Sequence, residues 1–233
     1  MMRYILGGVI TVGVIAAVAG CLNHGTVTQD EATMSPARQP LMPAGATVIP
    51  DDPAKVTPLA VGENAPAATL ETPDGHSVDL AALYADKPTV LIFYRGGWCP
   101  FCNAHLAELS KIEPQLLELG YQILAISPDR PAELQKSIDK HHLNYQLLSD
   151  SSMKLTQSFG LAFRVDDPTV AKYHGFGIDL EKSSGRPHHL LPVPAVYIVD
   201  TSGRIRFAHY NPDYKTRLSG DQILTAAKAA ATK

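Results

Sequence analysis

The chain has 233 residues, of which 45% are apolar and 18% are charged, so it is long enough for an ordinary domain and too apolar to be wholly disordered. Its formal net charge of −3 offers no basic face and argues against nucleic-acid binding. Three cysteines are too few for a disulfide-stabilised scaffold at this length, so their function depends on where they stand.

The first 20 residues form an apolar segment that predicts export. Beyond Arg3 the segment carries no charged residue, and it is short for a membrane span, which needs about 20 apolar residues. It ends in Val-Ala-Gly-Cys, which resembles the lipobox of bacterial lipoproteins and implies cleavage before Cys21 and lipidation of that cysteine. An uncleaved signal anchor is the alternative. Either interpretation predicts a membrane-attached protein of the bacterial cell envelope that faces the periplasm, and Leu22 favours sorting to the outer membrane.

Residues 21–57 are predicted to be a disordered linker that begins with the lipidated cysteine. Residues 22–57 contain no aromatic residue and five prolines, so they bury too little apolar surface to order themselves. Residues 58–233 then form one globular domain without internal repeats.

Short apolar runs alternate with helical patterns through this domain, which predicts an α/β fold. The run at 89–94 is continuously apolar, as expected of a buried central strand. The stretch 164–190 has weak periodicity and is predicted to be a polar excursion or lid. The predicted strands are 89–94, 121–126, 145–148, 195–199 and 205–209, and the predicted helices are 100–119, 132–141, 151–159 and a closing helix from Ser219.

Cys99 and Cys102 stand where the predicted central strand meets the next helix. Two preceding glycines permit a sharp turn, and Pro100 lies in the first helical turn, where its missing N–H costs nothing. A helix N-terminus carries unpaired N–H groups and positive potential, so a thiolate is stabilised there and the thiol pKa is lowered. Arg95 adds to this effect if it points inward. The spacing allows the two sulfurs to form a disulfide with little strain.

Zinc binding and a structural disulfide are the other uses of such a pair. A zinc site needs two further ligands, no second Cys-x-x-C is present, and neither His141-His142 nor His188-His189 has a spacing that aims both rings at one metal. A structural disulfide would close a very small loop and stabilise the fold little. Redox chemistry is therefore preferred, and neither a metal nor an organic cofactor is predicted.

Residues 58–233 resemble the alkyl hydroperoxide reductase C/thiol-specific antioxidant (AhpC/TSA) family, the peroxiredoxin-like branch of the thioredoxin superfamily. The segments at 61–66, 93–102 and 192–200 are similar to the family's entry signature, its active-site strand and helix, and the strand that faces the site. The resemblance implies a thioredoxin-like α/β fold, with a central mixed β-sheet flanked by helices and a redox-active cysteine pair.

The active-site residues depart from the peroxiredoxin pattern P-x-x-x-[TS]-x-x-C. Cys102 takes the position of the peroxide-attacking cysteine, whereas Cys99 replaces the Thr or Ser and Arg95 replaces the proline. The arginine that helps to polarise the peroxide in peroxiredoxins would fall near Pro194. Three of the four supporting positions have therefore changed.

What remains is more similar to thioredoxin, because Trp98 precedes Cys-Pro-x-Cys and shields it, and Val193–Pro194 is expected to face the sulfurs. We therefore predict a membrane-anchored thiol–disulfide oxidoreductase. Cys99, at the start of the helix, is expected to be the more exposed thiol and to attack, and Cys102 is expected to be more buried and to resolve. The alternative is a peroxiredoxin-type thiol peroxidase, an antioxidant enzyme in which Cys102 becomes the sulfenic acid and Cys99 resolves it. The expected partners are protein thiols and disulfides, or hydroperoxides, together with a thioredoxin-like or membrane electron donor.

A copper-binding assembly factor of thioredoxin fold is a third hypothesis, because soft thiolates suit Cu(I). The cysteines of such factors usually have three residues between them, whereas two stand here. His105 lies one turn after Cys102, where it could pair with a thiolate, but the default prediction is a solvated helix histidine. Residues 210–217 could fold back near the site, but the default prediction is a plain surface turn.

Overall fold

The structure, a computed structural model, describes residues 48–231. The predicted signal segment, the lipidation site Cys21 and the linker up to residue 47 lie outside the described residues. Residues 48–57, the end of the predicted linker, pack against the domain. The carbonyl of Pro50 accepts a hydrogen bond from the Arg164 N–H at 2.8 Å, and Val56 packs against a hydrophobic core. The ordered domain therefore begins before residue 58.

Strands and helices alternate along the described part of the chain, and a short 3-10 helix at Pro53–Lys55 precedes them. The strands are β1 (Thr69–Glu71), β2 (Ser77–Asp79), β3 (Thr89–Phe93), β4 (Gln122–Ser127), β5 (Gln146–Ser149), β6 (Ala162–Arg164), β7 (Leu190–Pro192), β8 (Ala195–Val199) and β9 (Ile205–Tyr210). The helices are α1 (Leu80–Asp86), α2 (Pro100–Glu118), α3 (Pro131–His141), α4 (Lys154–Ser158), α5 (Asp167–Gly175), α6 (Leu180–Ser184) and α7 (Gly220–Ala231).

Seven strands form one mixed sheet in the order β2-β1-β5-β4-β3-β8-β9, and β6 pairs with β7 separately. The central strands β3, β4 and β5 run parallel, whereas β1, β2, β8 and β9 pair antiparallel with their neighbours. Every residue of β3 is buried, which accounts for its continuous apolar sequence.

The sheet separates two hydrophobic cores, because successive side chains of a strand point to opposite faces. Val90 and Ile92 of β3 pack on one face with α2, α3 and α7. Leu91 and Phe93 pack on the other face with α1 and α4. Because β3 is anchored on both faces, its carboxyl end is a rigid base for the turn that leads into α2.

All five predicted strands are present, with ends shifted by at most one residue. The predicted helices 100–119 and 132–141 and the closing helix are also present. The helix predicted at 151–159 shrinks to the five residues of α4, because Met153 adopts a left-handed backbone with φ of 58° just before it. The short elements β1, β2 and α1 carried too little periodicity to be predicted.

The stretch 164–190, predicted to be a polar excursion or lid, contains α5 and α6 and lies between β6 and β7. It has its own small core, formed by Val165, Val170, Leu180 and Leu191, against which Trp98 packs. Its helices have nine and five residues, which is too short for a clear helical period in the sequence. This stretch is therefore ordered, and it contacts the turn before the cysteine pair through Trp98.

Candidate active site

The chain turns sharply between β3 and α2, and polar contacts fix this turn. The Gly97 N–H donates to Oδ2 of Asp129 at 2.7 Å, and Nδ2 of Asn103 donates to the Gly97 carbonyl at 2.8 Å. The Cys99 N–H donates to the Gly96 carbonyl at 3.1 Å. Gly96 has φ of 142°, which residues with side chains rarely adopt. The glycines are therefore needed to bring the cysteines to the start of α2.

Asp129 lies just beyond the end of β4 and fixes this turn through the bond from the Gly97 N–H. Its carboxyl group is buried, and burial raises its pKa to about 7, although the bond from the Gly97 N–H opposes the shift. Its partner lies 32 residues away in the chain, so no local pattern could have identified the contact.

Cys99 is the N-cap residue of α2, and Cys102 lies in the first turn of that helix. Both are free thiols, and each residue is only 1% exposed. The prediction that Cys99 is the more exposed of the two is therefore wrong, because residues 210–217 and α5 fold over this end of α2.

The environment shifts the pKa values of the two thiols in opposite directions. Hydrogen bonding from the Cys102 side chain lowers the pKa of Cys99 to about 6 against the effect of burial, with smaller contributions from the charges of Arg95 and Arg217. Burial raises the pKa of Cys102, and hydrogen bonding with Cys99 raises it further. Cys99 is therefore the thiolate at neutral pH.

Arg95 is buried beside the pair and points inward, into a cage of three aromatic rings. Its guanidinium carbon lies 4.1 Å from the ring centroid of Tyr214, 5.1 Å from that of Trp98 and 5.6 Å from that of Tyr173. Its Nη2 donates to the Tyr173 hydroxyl. Among residues 48–231 no carboxylate forms an ion pair with it. Its charge is therefore not neutralised by a neighbour and acts on the thiolate.

Residues 210–217 fold back over the site, so the default prediction of a plain surface turn is wrong and the alternative holds. The Asn211 N–H donates to the Pro194 carbonyl at 3.2 Å, and Nη2 of Arg217 donates to Sγ of Cys102 at 3.3 Å. Arg217 lies 115 residues from Cys102 in the chain, and the sequence carries no signal for this contact. This segment thus brings a second arginine to the cysteine pair.

The remaining predicted residues occupy different surroundings. Pro100 is the exposed first residue of α2, and Pro194 lines a small cavity together with Arg217. The side chain of Val193 packs in the core on the other face of the sheet, so the structure does not bring it to the sulfurs. His105 is buried rather than solvated, and burial lowers its pKa to about 4.

A cleft of about 220 Å³ opens beside Arg95. Arg95 and Tyr173 stand at the cysteine side of the cleft, and much of the remaining lining is apolar. The apolar lining comprises Pro53, Phe163, Val165, Pro192, Pro194 and Pro212, and the polar lining includes Asp51, Arg164, Asp166 and Thr169. The cleft can therefore accept a small organic molecule beside Arg95.

The site offers thiol chemistry rather than a preformed metal centre. Within residues 48–231, no group of three or more His, Cys, Asp or Glu side chains is placed to hold a metal ion.

In the same range, no helix has both the length and the apolar character needed to cross a bilayer.

Comparison with known proteins identifies relatives over most of the domain. Residues 61–208 match the AhpC/TSA family. The Bcp protein of Haemophilus influenzae is 35% identical over 106 residues, which cover 46% of this chain and 68% of that protein. Peroxiredoxin Bcp of Escherichia coli K12 is 26% identical over 173 residues, which cover 74% of this chain and 98% of that protein.

A solved structure extends this similarity to the fold. The structure of reduced Prx3 of Vibrio vulnificus in complex with H2O2 matches with a TM-score of 0.60 at 21% identity, covering 72% of this chain and 99% of that one. The prediction of a thioredoxin-like α/β fold, with a central mixed sheet flanked by helices, is therefore confirmed. At this identity the match is evidence for the fold alone.

We predict that Gly97→Ala destabilises the fold by about 1–3 kcal/mol through overpacking. A Cβ atom at Gly97 would lie 2.1 Å from Oγ of Ser137, whereas Cβ of Ser137 would be 3.5 Å away, an ordinary contact. Ser137→Ala should therefore remove most of the cost of Gly97→Ala, as measured by urea unfolding of the parent, both single variants and the double variant. Equal costs of Gly97→Ala in the two backgrounds would contradict the predicted clash.

We also predict that the iodoacetamide alkylation rate of Cys99 rises with pH through about 6 and is level above pH 7. The thiolate is the reactive form, and its lowered pKa leaves it ionised at neutral pH. Arg95→Met should move the midpoint upward by about one pH unit, because it removes a nearby positive charge. Arg204→Met removes an exposed arginine whose Nη1 donates to the Gly62 carbonyl, and it should leave the midpoint unchanged. A parental midpoint at about 8.5, the unperturbed value, would exclude the assignment of Cys99 as the thiolate.

Proposed function

Because the chain belongs to the AhpC/TSA family, we propose that it is a thiol peroxidase that reduces hydroperoxides with the electrons of Cys99 and Cys102. The observation that carries the proposal is a thiolate held beside a second thiol, with Arg95 and Arg217 close to the pair. The similarity to Bcp proteins, one of them named a peroxiredoxin, favours this activity over the thiol–disulfide exchange that the sequence alone favoured.

Cys99 is the proposed nucleophile. Its thiolate attacks one oxygen of the hydroperoxide, a sulfur–oxygen bond forms, and the oxygen–oxygen bond breaks. The leaving alkoxide takes a proton and departs as an alcohol, or as water when the substrate is hydrogen peroxide. The Cys99 sulfur loses two electrons to the peroxide and becomes a sulfenic acid. The charges of Arg95 and Arg217 favour this step by stabilising negative charge at the site.

This assignment differs from the one implied by the peroxiredoxin pattern, in which Cys102 occupies the attacking position. Two properties of the site support Cys99 instead. It is the N-cap residue of α2, and the Cys102 side chain acts as a hydrogen-bond donor to it. A buried pair that holds one negative charge places that charge on the sulfur with the more favourable partners.

Cys102 completes the oxidation by attacking the oxidised Cys99 sulfur. A Cys99–Cys102 disulfide forms and the sulfenic oxygen leaves as water. A dithiol reductant, either a thioredoxin-like protein or a membrane electron donor, then returns the pair to the free thiols present in this structure. Organic hydroperoxides fit the apolar walls of the cleft beside Arg95, so we propose them as substrates in addition to hydrogen peroxide.

Thiol–disulfide exchange is the second candidate function. A low-pKa cysteine followed by Pro100 and a buried Cys102 at the start of α2 is an arrangement suited to attack on a disulfide. In that reaction Cys99 would form a mixed disulfide with the substrate, and Cys102 would release the reduced substrate.

We further propose that the protein is a lipoprotein of the bacterial cell envelope that is attached through Cys21 and faces the periplasm. The sequence supports this proposal through the short apolar segment at 1–20 and the Val-Ala-Gly-Cys motif at its end.

We predict that the reduced protein consumes an organic hydroperoxide faster than it reduces insulin disulfides. Cys102→Ser should retain a single fast turnover with peroxide, since the attacking thiolate remains. Cys99→Ser should lose at least about 100-fold in rate, because a hydroxyl does not replace a thiolate nucleophile. Stopped-flow fluorescence of Trp98, which precedes Cys99 and is the only tryptophan of the chain, follows these reactions.

Trapping with dimedone identifies the attacking cysteine. The label is expected on Cys99 in the Cys102→Ser variant. A label on Cys102 in the Cys99→Ser variant, with fast peroxide consumption, would reverse the two roles. Insulin reduction faster than peroxide consumption by the same preparation would favour thiol–disulfide exchange as the function.

Lipidation is tested by expressing the full chain in a bacterium supplied with labelled palmitate. We predict that the parent and the Cys99→Ser variant are labelled and recovered with membranes, because both keep the lipobox cysteine. The Cys21→Ser variant should carry no label. An unlabelled parent, or label that persists in Cys21→Ser, would contradict the lipoprotein proposal.

A further inference from the structure

Arg217 has its guanidinium group next to a reacting sulfur and has few other partners. Its Nη2 donates to Sγ of Cys102 at 3.3 Å. Its Nε and Nη1 are buried, and neither has a hydrogen-bond partner. Within the described range of the chain, no carboxylate forms an ion pair with it.

An arginine that serves only the fold is normally saturated with carboxylate or carbonyl acceptors, because burying an unpaired charge is costly. Arg217 is half-buried, its Nε and Nη1 atoms are buried without a partner, and the partner of its Nη2 is the thiol that closes the proposed disulfide. The placement therefore indicates a role in the chemistry of Cys102.

We propose that Arg217 is a catalytic residue that activates the Cys102 sulfur for closure of the Cys99–Cys102 disulfide. The inference rests on the proposed function, in which Cys102 resolves the oxidised Cys99. In the reduced pair, burial and the hydrogen bond with Cys99 raise the pKa of Cys102 and keep it protonated. Oxidation of Cys99 removes its negative charge, and the guanidinium of Arg217 then favours ionisation of Cys102.

The step balances without a further reactant. Cys102 releases its proton, and its sulfur attacks the sulfur of the Cys99 sulfenic acid. The sulfur–sulfur bond forms as the sulfur–oxygen bond breaks, and hydroxide leaves and becomes water with the released proton. The unpartnered Nε and Nη1 of Arg217 are the hydrogen-bond donors that this leaving oxygen can use.

Arg95 carries the other positive charge beside the pair, and its influence on Cys102 is through a backbone hydrogen bond, whereas the remaining titratable groups near Cys102 are neutral. Burial raises the pKa of Tyr94, so its hydroxyl stays neutral. Burial, together with the charge of Arg217, lowers the pKa of His105 to about 4, so the ring is neutral as well. Cys99 is neutral once it is oxidised. Arg217 is thus the cation in direct contact with Cys102.

The test uses the reduced full chain and the aromatic disulfide DTNB, so it does not depend on peroxide reduction. Attack by Cys99 releases one coloured thiolate, and attack by Cys102 on the resulting mixed disulfide releases a second. In Arg217→Gln we expect the second release to slow by about tenfold or more, because the thiolate fraction of Cys102 falls about tenfold for each unit by which its pKa rises. The first release should change by less than about threefold, since Cys99 keeps Arg95 and its hydrogen bond from Cys102.

Two further variants separate this role from a structural one. Lys215→Gln removes the same charge from the same segment at an exposed position, and both releases should stay at the parental rate. Arg217→Lys keeps the charge, so it should recover part of the second release. The pH midpoint of the second release should be higher in Arg217→Gln than in the parent, a shift that a loss of packing alone does not produce.

Parental rates of the second release in both Arg217 variants, or equal slowing of both releases, would overturn the proposal. Repeating the measurement with an organic hydroperoxide in place of DTNB separates the two proposals. If the parent does not turn over peroxide but the second DTNB release is still slowed in Arg217→Gln, the peroxidase function is refuted and the role of Arg217 stands. Normal peroxide turnover with an unchanged second release would refute the role of Arg217 alone.

Discussion

One negative charge held by two neighbouring buried sulfurs is the feature on which this site depends. Burial makes any charge costly, so the charge is stable only where hydrogen bonds and positive groups converge. Cys99 has that position, as the N-cap residue of α2 with Cys102 acting as a hydrogen-bond donor to it. The opposite pKa shifts of the two thiols follow from this arrangement, and so do their separate roles in the proposed reaction.

The fold supplies these groups from segments that are distant in the chain. β3 is anchored in both cores and sets the position of the turn, and Asp129 fixes the turn through the Gly97 N–H. Arg95 comes from the turn itself, whereas Arg217 comes from the segment after β9. Burial keeps the pKa of Asp129 near 7, so below neutral pH this carboxyl adds little negative charge against the thiolate. The positive potential at the cysteines is therefore only weakly opposed.

The sequence alone predicted the features that depend on residues close together in the chain. A continuous apolar run predicted β3, and two glycines followed by Cys-Pro-x-Cys predicted the turn and the start of α2. The contributions of Asp129 and Arg217 could not be predicted, because each contacts the site across a long separation in sequence. For the same reason the exposure of Cys99 was predicted wrongly, since the segments that cover it pair with the site only in three dimensions. The attachment through Cys21 stays a prediction from sequence.

Thiolate absorbance in the ultraviolet, measured against pH in the reduced parent, Cys99→Ser and Cys102→Ser proteins, shows which sulfur holds the negative charge. We expect the parent to carry one thiolate at pH 7, formed with a midpoint near 6, and Cys99→Ser to abolish this transition. A parent without a thiolate at pH 7, or a transition that persists near 6 in Cys99→Ser and disappears in Cys102→Ser, would contradict this expectation.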